Sequence, residues 1–217
     1  MIHKLEADSI QLQFGNRVIL SNVYLKCETG KITGLLGRNG QGKSCLMKII
    51  HGTLKCEKSV RIDGQAYHAV FKRADLLVYL PQFNYILKSL SVKRVFHDFS
   101  LDFAPFAEIF PELASQYKAA VGSLSGGGQR LLELYVIVKS KSAFAMLDEP
   151  FTHLSPLQIE KVKELLMEEK KNKGLLITDH LYRQVLDICD NLYVLTDGKT
   201  HLAESHEEIE RLGYAKL

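Results

Sequence analysis

Residues 37 to 44 read Gly-Arg-Asn-Gly-Gln-Gly-Lys-Ser, a complete GxxxxGK[ST] loop, and it is the strongest constraint on what this chain can fold into. Glycines at 37, 40 and 42 let the backbone wrap an anion without Cβ clashes, so that successive N–H groups point inward at phosphates. Lys43 adds a point charge, and Ser44 offers a hydroxyl to Mg²⁺. The apolar stretch 31–36 predicts the strand that feeds the loop. Residues 43–51 predict the helix that leaves it, closed by Gly52, so a helix N-terminus faces the phosphates. Gly37, Arg38, Asn39, Gly40, Gln41, Gly42, Lys43, Ser44 and Cys45 are therefore the candidate phosphate contacts.

Downstream segments supply what such a loop needs for hydrolysis. The apolar run 143–147 ends in Asp148 and Glu149. Neighbouring strand residues point to opposite sides, which gives the two acids different tasks: Asp148 near Mg²⁺ through its water shell, Glu149 toward the water that attacks the γ-phosphate. Read alone, an acid pair at a strand end is equally a solvated one. Ser125, Gly126, Gly127 and Gly128 open a helix that runs on through Val138, which makes a second anion cradle or a hinge. Gln82 follows a strand over 76–80, and His180 follows a strand over 175–178; singly, each reads as an ordinary turn residue.

In this order the segments resemble the nucleotide-binding domain of the ABC ATPases, over roughly residues 2 to 212. The resemblance implies that 37–44 is the Walker A element, Gln82 the glutamine of the Q-loop, 124–128 the signature, 143–149 the Walker B strand with Glu149 as catalytic glutamate, and His180 the switch histidine. It puts Phe14 where the family stacks an aromatic ring on adenine, although Phe14 also suits a strand core. Ser44, Gln82 and Asp148 become the metal contacts, and ATP with Mg²⁺ the expected ligands. The implied fold is α/β, a P-loop NTPase core of ABC type with an N-terminal antiparallel β-subdomain and a short α-helical subdomain. The chain 1–217 is expected to be one such domain, with 83–123 as the helical insertion.

The chain departs from the family pattern at three positions. Gly128 stands where the signature usually has glutamine, yet Ser125, Gly126 and Gly127 survive for a γ-phosphate held across a dimer. Ser155 replaces the usual aspartate after Leu154. It still caps a helix, with Pro156 at its first position and Gln158 completing a capping box, but the charge is lost. Cys45 replaces a hydroxyl residue, weakening an α-phosphate contact while keeping the backbone donor.

The 217 residues, 46% apolar, suffice for a full core. A net charge of +3 is too mild to argue for nucleic acid, and the basic run 161–173 is interleaved with glutamates. That run predicts the solvated face of a helix whose buried stripe is Ile159, Val162, Leu165 and Leu166. Four cysteines, at 27, 45, 56 and 189, show no metal-ligand pairing; Cys189 is expected on a helical stripe with Tyr182, Val185 and Leu186. The first residues carry charges where a signal peptide needs apolar ones, and no apolar run spans a membrane. Asp63-Gly64 predicts a hairpin turn. The region 83–123 holds six of the ten phenylalanines, at 83, 96, 99, 103, 106 and 110. These form the subdomain's own core or a docking surface.

The expected protein is a cytoplasmic ATP-hydrolysing subunit that energises an ABC transporter from the inner face of the membrane. One phosphate loop per chain implies a head-to-tail dimer with a second copy or a related cassette. The family places the docking of a separate transmembrane subunit at 83–123. The alternative is a soluble ABC ATPase acting on a non-membrane partner, of cluster-assembly type. Segments 148–151 and 177–180 look similar to cassettes serving lipid export and branched-chain amino acid uptake.

Overall fold

The computed structural model describes residues 2–212. Met1 and 213–217, the two ends of the expected domain, lie outside the described residues. Alternating apolar residues form β1 (Lys4–Phe14) and β2 (Arg17–Glu28), an antiparallel hairpin whose register slips at three points. β3 (Ile32–Leu36) is buried throughout and runs through the loop into α1 (Lys43–His51), which Gly52 ends in the left-handed region at φ 95°. β4 (Glu57–Ile62) and β5 (Gln65–Ala66) flank Asp63 and Gly64, both at positive φ, as a tight hairpin requires.

β6 (Leu77–Leu80) precedes residues 83–123, which contain α2 (Val92–Asp98), α3 (Ala104–Ile109) and short 3₁₀ turns. Then come α4 (Gly126–Lys139), β7 (Phe144–Asp148), α5 (Pro156–Glu169), β8 (Gly174–Thr178), α6 (Tyr182–Leu186), β9 (Asn191–Thr196), β10 (Lys199–Ala203) and α7 (His206–Arg211). Ser155 caps α5 in a complete capping box with Gln158, and Pro156 occupies the first turn.

Two sheets result. One is antiparallel, in the order β2-β1-β4-β5; the other runs β10-β9-β3-β8-β7-β6 and is parallel except for β10. Strand alternation divides the parallel sheet's side chains between two cores. Leu35, Phe144, Met146 and Leu176 face α1 and the antiparallel sheet, whereas Ile32, Leu36, Ala145, Leu147, Leu175 and Ile177 face α4, α5 and residues 83–123.

The aromatics of residues 83–123 extend this second core. Phe96, Phe106 and Phe110 are buried, Phe103 and Phe99 pack against them, and Phe96 and Phe106 reach Tyr135 of α4 with ring centroids 5.9 and 5.0 Å apart. The rings at 96–110 are thus core, while Phe83 stands 75% exposed.

Two further expectations are corrected. The basic run does not stay solvated to its end: Lys173 is buried and donates to Ser140 O at 2.5 Å, and Glu169 pairs inside with Lys139. Burial pushes the Lys173 ammonium down to about 8. The stripe assigned to Cys189 ends sooner than expected, because α6 stops at Leu186; Cys189 packs half-buried beyond it, and burial raises its thiol to about 11. All four cysteines are free thiols.

Candidate active site

The loop 37–42 joins the C-terminal end of β3 to α1, the edge at which parallel sheets of this kind hold ligands. Gly42 sits at φ 101°, and a Cβ there would come within 2.8 Å of Ile19. A side chain is therefore excluded by both conformation and space. Lys43 folds back over the loop, donating to Gly37 O at 2.6 Å and Arg38 O at 3.3 Å. Burial lowers its pKa, against the pull of the Glu149, Asp148 and Asp179 carboxylates.

A cleft of about 420 Å³ opens over this loop. It gathers Phe14, Asn39, Gly40, Gly42, Lys43, Ser44, Cys45, Gln82 and Glu149, together with Arg17 and Ile19. Phe14 lies at the end of β1 with 55% of its surface exposed, so it is not a strand-core residue. Cys45 is half-buried at the cleft wall. Arg38 and Gln41 line a separate pocket on the β9 side, against Val194–Asp197, and not the cleft.

Asp148 lies buried behind Ser44. Its Oδ1 accepts from Ser44 Oγ at 3.2 Å and its Oδ2 from the Tyr79 hydroxyl at 2.9 Å. Burial raises this carboxyl, and the two hydrogen bonds act in the opposite sense. Among the described residues no group of three or more His, Cys, Asp or Glu could enclose a metal. One hydroxyl and one carboxylate are nevertheless a hard-oxygen pair that suits Mg²⁺, which takes one or two protein ligands and completes its shell with phosphate and water.

Glu149 does not continue the strand. Pairing ends at Asp148 opposite Thr178, and Glu149 turns into the left-handed region at φ 53°. The expected alternation of the two acids is therefore replaced by a backbone turn. That turn is held by Glu149 N–H donating to Thr178 O at 2.7 Å and by Arg130 Nη2 donating to Glu149 O at 2.9 Å. The carboxylate itself accepts from Thr152 at 3.3 Å and lies 3.5 Å from Nδ1 of His180. Asp179, fully buried, accepts from the Phe151 and Leu181 N–H groups and ties the two strand ends together.

Ser125–Gly127 do not line this cleft. They form the exposed N-terminus of α4, where Ser125 Oγ accepts from Gly128 N–H at 3.1 Å. Gly127 abuts the segment after Glu149; a Cβ there would meet His153 O at 2.8 Å.

The sequence reading passed over the groups that join these parts. Arg130 is buried and donates to Pro81 O, Asp148 O and Glu149 O at 2.8, 2.6 and 2.9 Å. Glu133, one turn on, accepts from the Tyr85 and Ile86 N–H groups, and Gln129 accepts from Asn84. A signal was present: Arg130 and Glu133 are opposite charges at i,i+3 in an otherwise apolar helix, a pattern that demands buried partners.

Residues 20–152 match the family described as ABC transporter. The lipopolysaccharide export system ATP-binding protein LptB of Acidithiobacillus ferridurans is 30% identical over 96% of this chain and 93% of its own length. The high-affinity branched-chain amino acid transport ATP-binding protein BraG of Pseudomonas aeruginosa is 27% identical over 90% of each. In fold, the chain is similar to the solved ATP-binding subunit of an ABC transporter, with a TM-score of 0.83, 19% identity, and coverage of 97% of this chain and 93% of the other.

Proposed function

The chain belongs to the ABC transporter family of ATP-binding proteins, and from that premise we propose how its residues serve the nucleotide. It is an ATP-binding, ATP-hydrolysing subunit that couples energy to an ABC transporter. The alternative of a soluble ATPase with a non-membrane partner has no support among relatives named as transporter subunits and aligned over nine-tenths of both chains.

Adenine stacks on Phe14, the N–H groups of 37–45 receive the phosphates, and Lys43 turns its desolvated charge onto them. Ser44, Asp148 and Gln82 are the residues that would hold Mg²⁺ with its waters, and the ion would supply neutralising charge to the phosphates. Glu149 orients a water and takes its proton as that oxygen bonds to the γ-phosphorus; the bond to the bridging oxygen breaks, and ADP and phosphate leave. His180, next to Glu149, contacts the γ-phosphate and keeps the carboxylate aimed. The convergence of Lys43, Ser44, Gln82 and Glu149 on one cleft, with Asp148 behind, carries this reading.

The whole chain acts as one cassette with 83–123 as its helical insertion, and it pairs head to tail with a second copy or a related cassette. Ser125 supports this arrangement: its oxygen accepts within its own helix, so its proton is left to donate to the partner's γ-phosphate. None of the helices among the described residues is long and apolar enough to cross a membrane. We place the chain at the inner face of the membrane, held there by a separate transmembrane subunit.

Three results test these assignments. Phe14→Ala should weaken ATP binding by about tenfold, as loss of one base-stacking ring does, and leave thermal stability unchanged. Fluorescent-nucleotide titration measures it, and equal affinity for both proteins removes Phe14 from the site. Phe106→Ala should destabilise the fold by about 3–5 kcal/mol as a buried ring lost from the core. Phe83→Ala and Leu87→Ala, at side chains 75% and 67% exposed, should leave the melting temperature alone and abolish co-purification with the transmembrane subunit. Retained co-purification moves the docking surface elsewhere.

A further inference from the structure

We propose that Tyr79 is a positioning residue for the metal-side acid: its hydroxyl fixes the Asp148 carboxylate so that Oδ1 faces Ser44 and the metal's water shell. This rests on the reading of Asp148 given above. Tyr79 pairs with Met146 across parallel strands β6 and β7, so its side chain leaves the sheet on the same face as Met146 and, two residues on, Asp148. Its hydroxyl thereby reaches Asp148 Oδ2 at 2.9 Å, while Ser44 donates to Oδ1 at 3.2 Å.

A buried carboxylate with one donor on each oxygen has a single favoured orientation about its terminal torsion, a torsion that is otherwise broad. The main chain of Asp148 is already fixed by pairing with Thr178 and by Arg130, so this torsion is the freedom that the phenol removes. The phenol is itself held, its ring lying 5.3 Å from the His51 ring on α1. Three residues after Tyr79 the chain reaches Gln82 at the cleft, so one short segment presents both an aligning hydroxyl and a cleft amide.

Tyr79→Phe removes the hydroxyl and keeps the ring. Binding of a non-hydrolysable ATP analogue to the full chain is to be measured with Mg²⁺ titrated in and, separately, in chelator, for wild type, Tyr79→Phe and Asp148→Asn, alongside melting temperatures. The expected result for Tyr79→Phe is a Mg²⁺ midpoint raised several-fold, up to about tenfold, because a carboxylate torsion left free in the empty site must then be ordered on binding. Affinity in chelator stays at the wild-type value, and the melting temperature falls by no more than the loss of one buried hydrogen bond requires. If Asp148→Asn moves the Mg²⁺ midpoint and Tyr79→Phe does not, the inference fails and the reading of Asp148 stands. If neither moves it, the metal role of Asp148 fails and the inference with it. If Tyr79→Phe lowers affinity in chelator as much as it lowers affinity with Mg²⁺, the phenol acts on the fold of the site and not on the metal side, and the inference is overturned.

Discussion

Glu149→Gln should lower ATP turnover by about 10²- to 10⁴-fold, the usual loss when a positioned base is removed, with ATP affinity unchanged. Glutamine fills the same volume but offers the water an amide in place of a proton acceptor. The backbone should not respond, because the left-handed turn is secured by Thr178 O and Arg130, neither of which touches the altered group. The loss is then chemical and not conformational. Since ATP still binds and is not consumed, a long-lived dimer should accumulate and sediment as such. Phosphate release under Mg-ATP decides the matter: a variant within a few-fold of wild type removes Glu149 from the reaction.

Ser125→Arg in the Glu149→Gln background should abolish that ATP-dependent dimer while each chain still binds ATP. A bulky cation would occupy the space meant for the partner's phosphate. Ser125 is also the cap of α4, and its loss alone costs about 0.5–2 kcal/mol, so stability must be separated from pairing. Ser125→Asp makes that separation: aspartate caps equally well but sets a negative charge against the phosphate. Both variants should sediment as monomers with ATP, and the aspartate variant should keep its melting temperature. An undiminished dimer for either, at normal ATP binding, argues against head-to-tail pairing through this helix end.

What could be read from sequence was what short-range rules determine. The bounds of α1, its glycine stop, the Asp63-Gly64 turn and the capping box at Ser155 all depend on residues within about one helical turn of each other. The strand ends that bring Ser44 and Asp148 together were legible because a phosphate loop and an acid-terminated apolar run share the same edge of a parallel sheet. What escaped were contacts spanning long stretches of chain. Tyr79 meets Asp148 from 69 positions away, and Arg130 meets Pro81 from 49. Nothing local to Tyr79 distinguishes a strand tyrosine that packs from one that aims a carboxylate. Lys173 departs from the sequence pattern for a related reason: interleaved charges describe one helix face, while this lysine follows the helix and is buried against the turn between α4 and β7. Glu149 was assigned its direction by strand alternation, which stops one residue too early to apply.

Helix α4 carries a thermodynamic obligation. Its first turn, Ser125–Gly127, is the part offered to a second chain, while Gln129, Arg130 and Glu133 on the following turns hold Asn84, Pro81, Tyr85 and Ile86, the start of the segment that bears Phe83 and Leu87. Two binding events then bear on one rigid rod. If ATP-driven pairing at the first turn changes a transmembrane subunit's hold on residues 83–87 by some factor, that subunit must change the pairing affinity by the same factor, within the 1–3 kcal/mol or so that such couplings span. The membrane partner is then as much an effector of ATP-driven assembly as ATP is of the membrane partner.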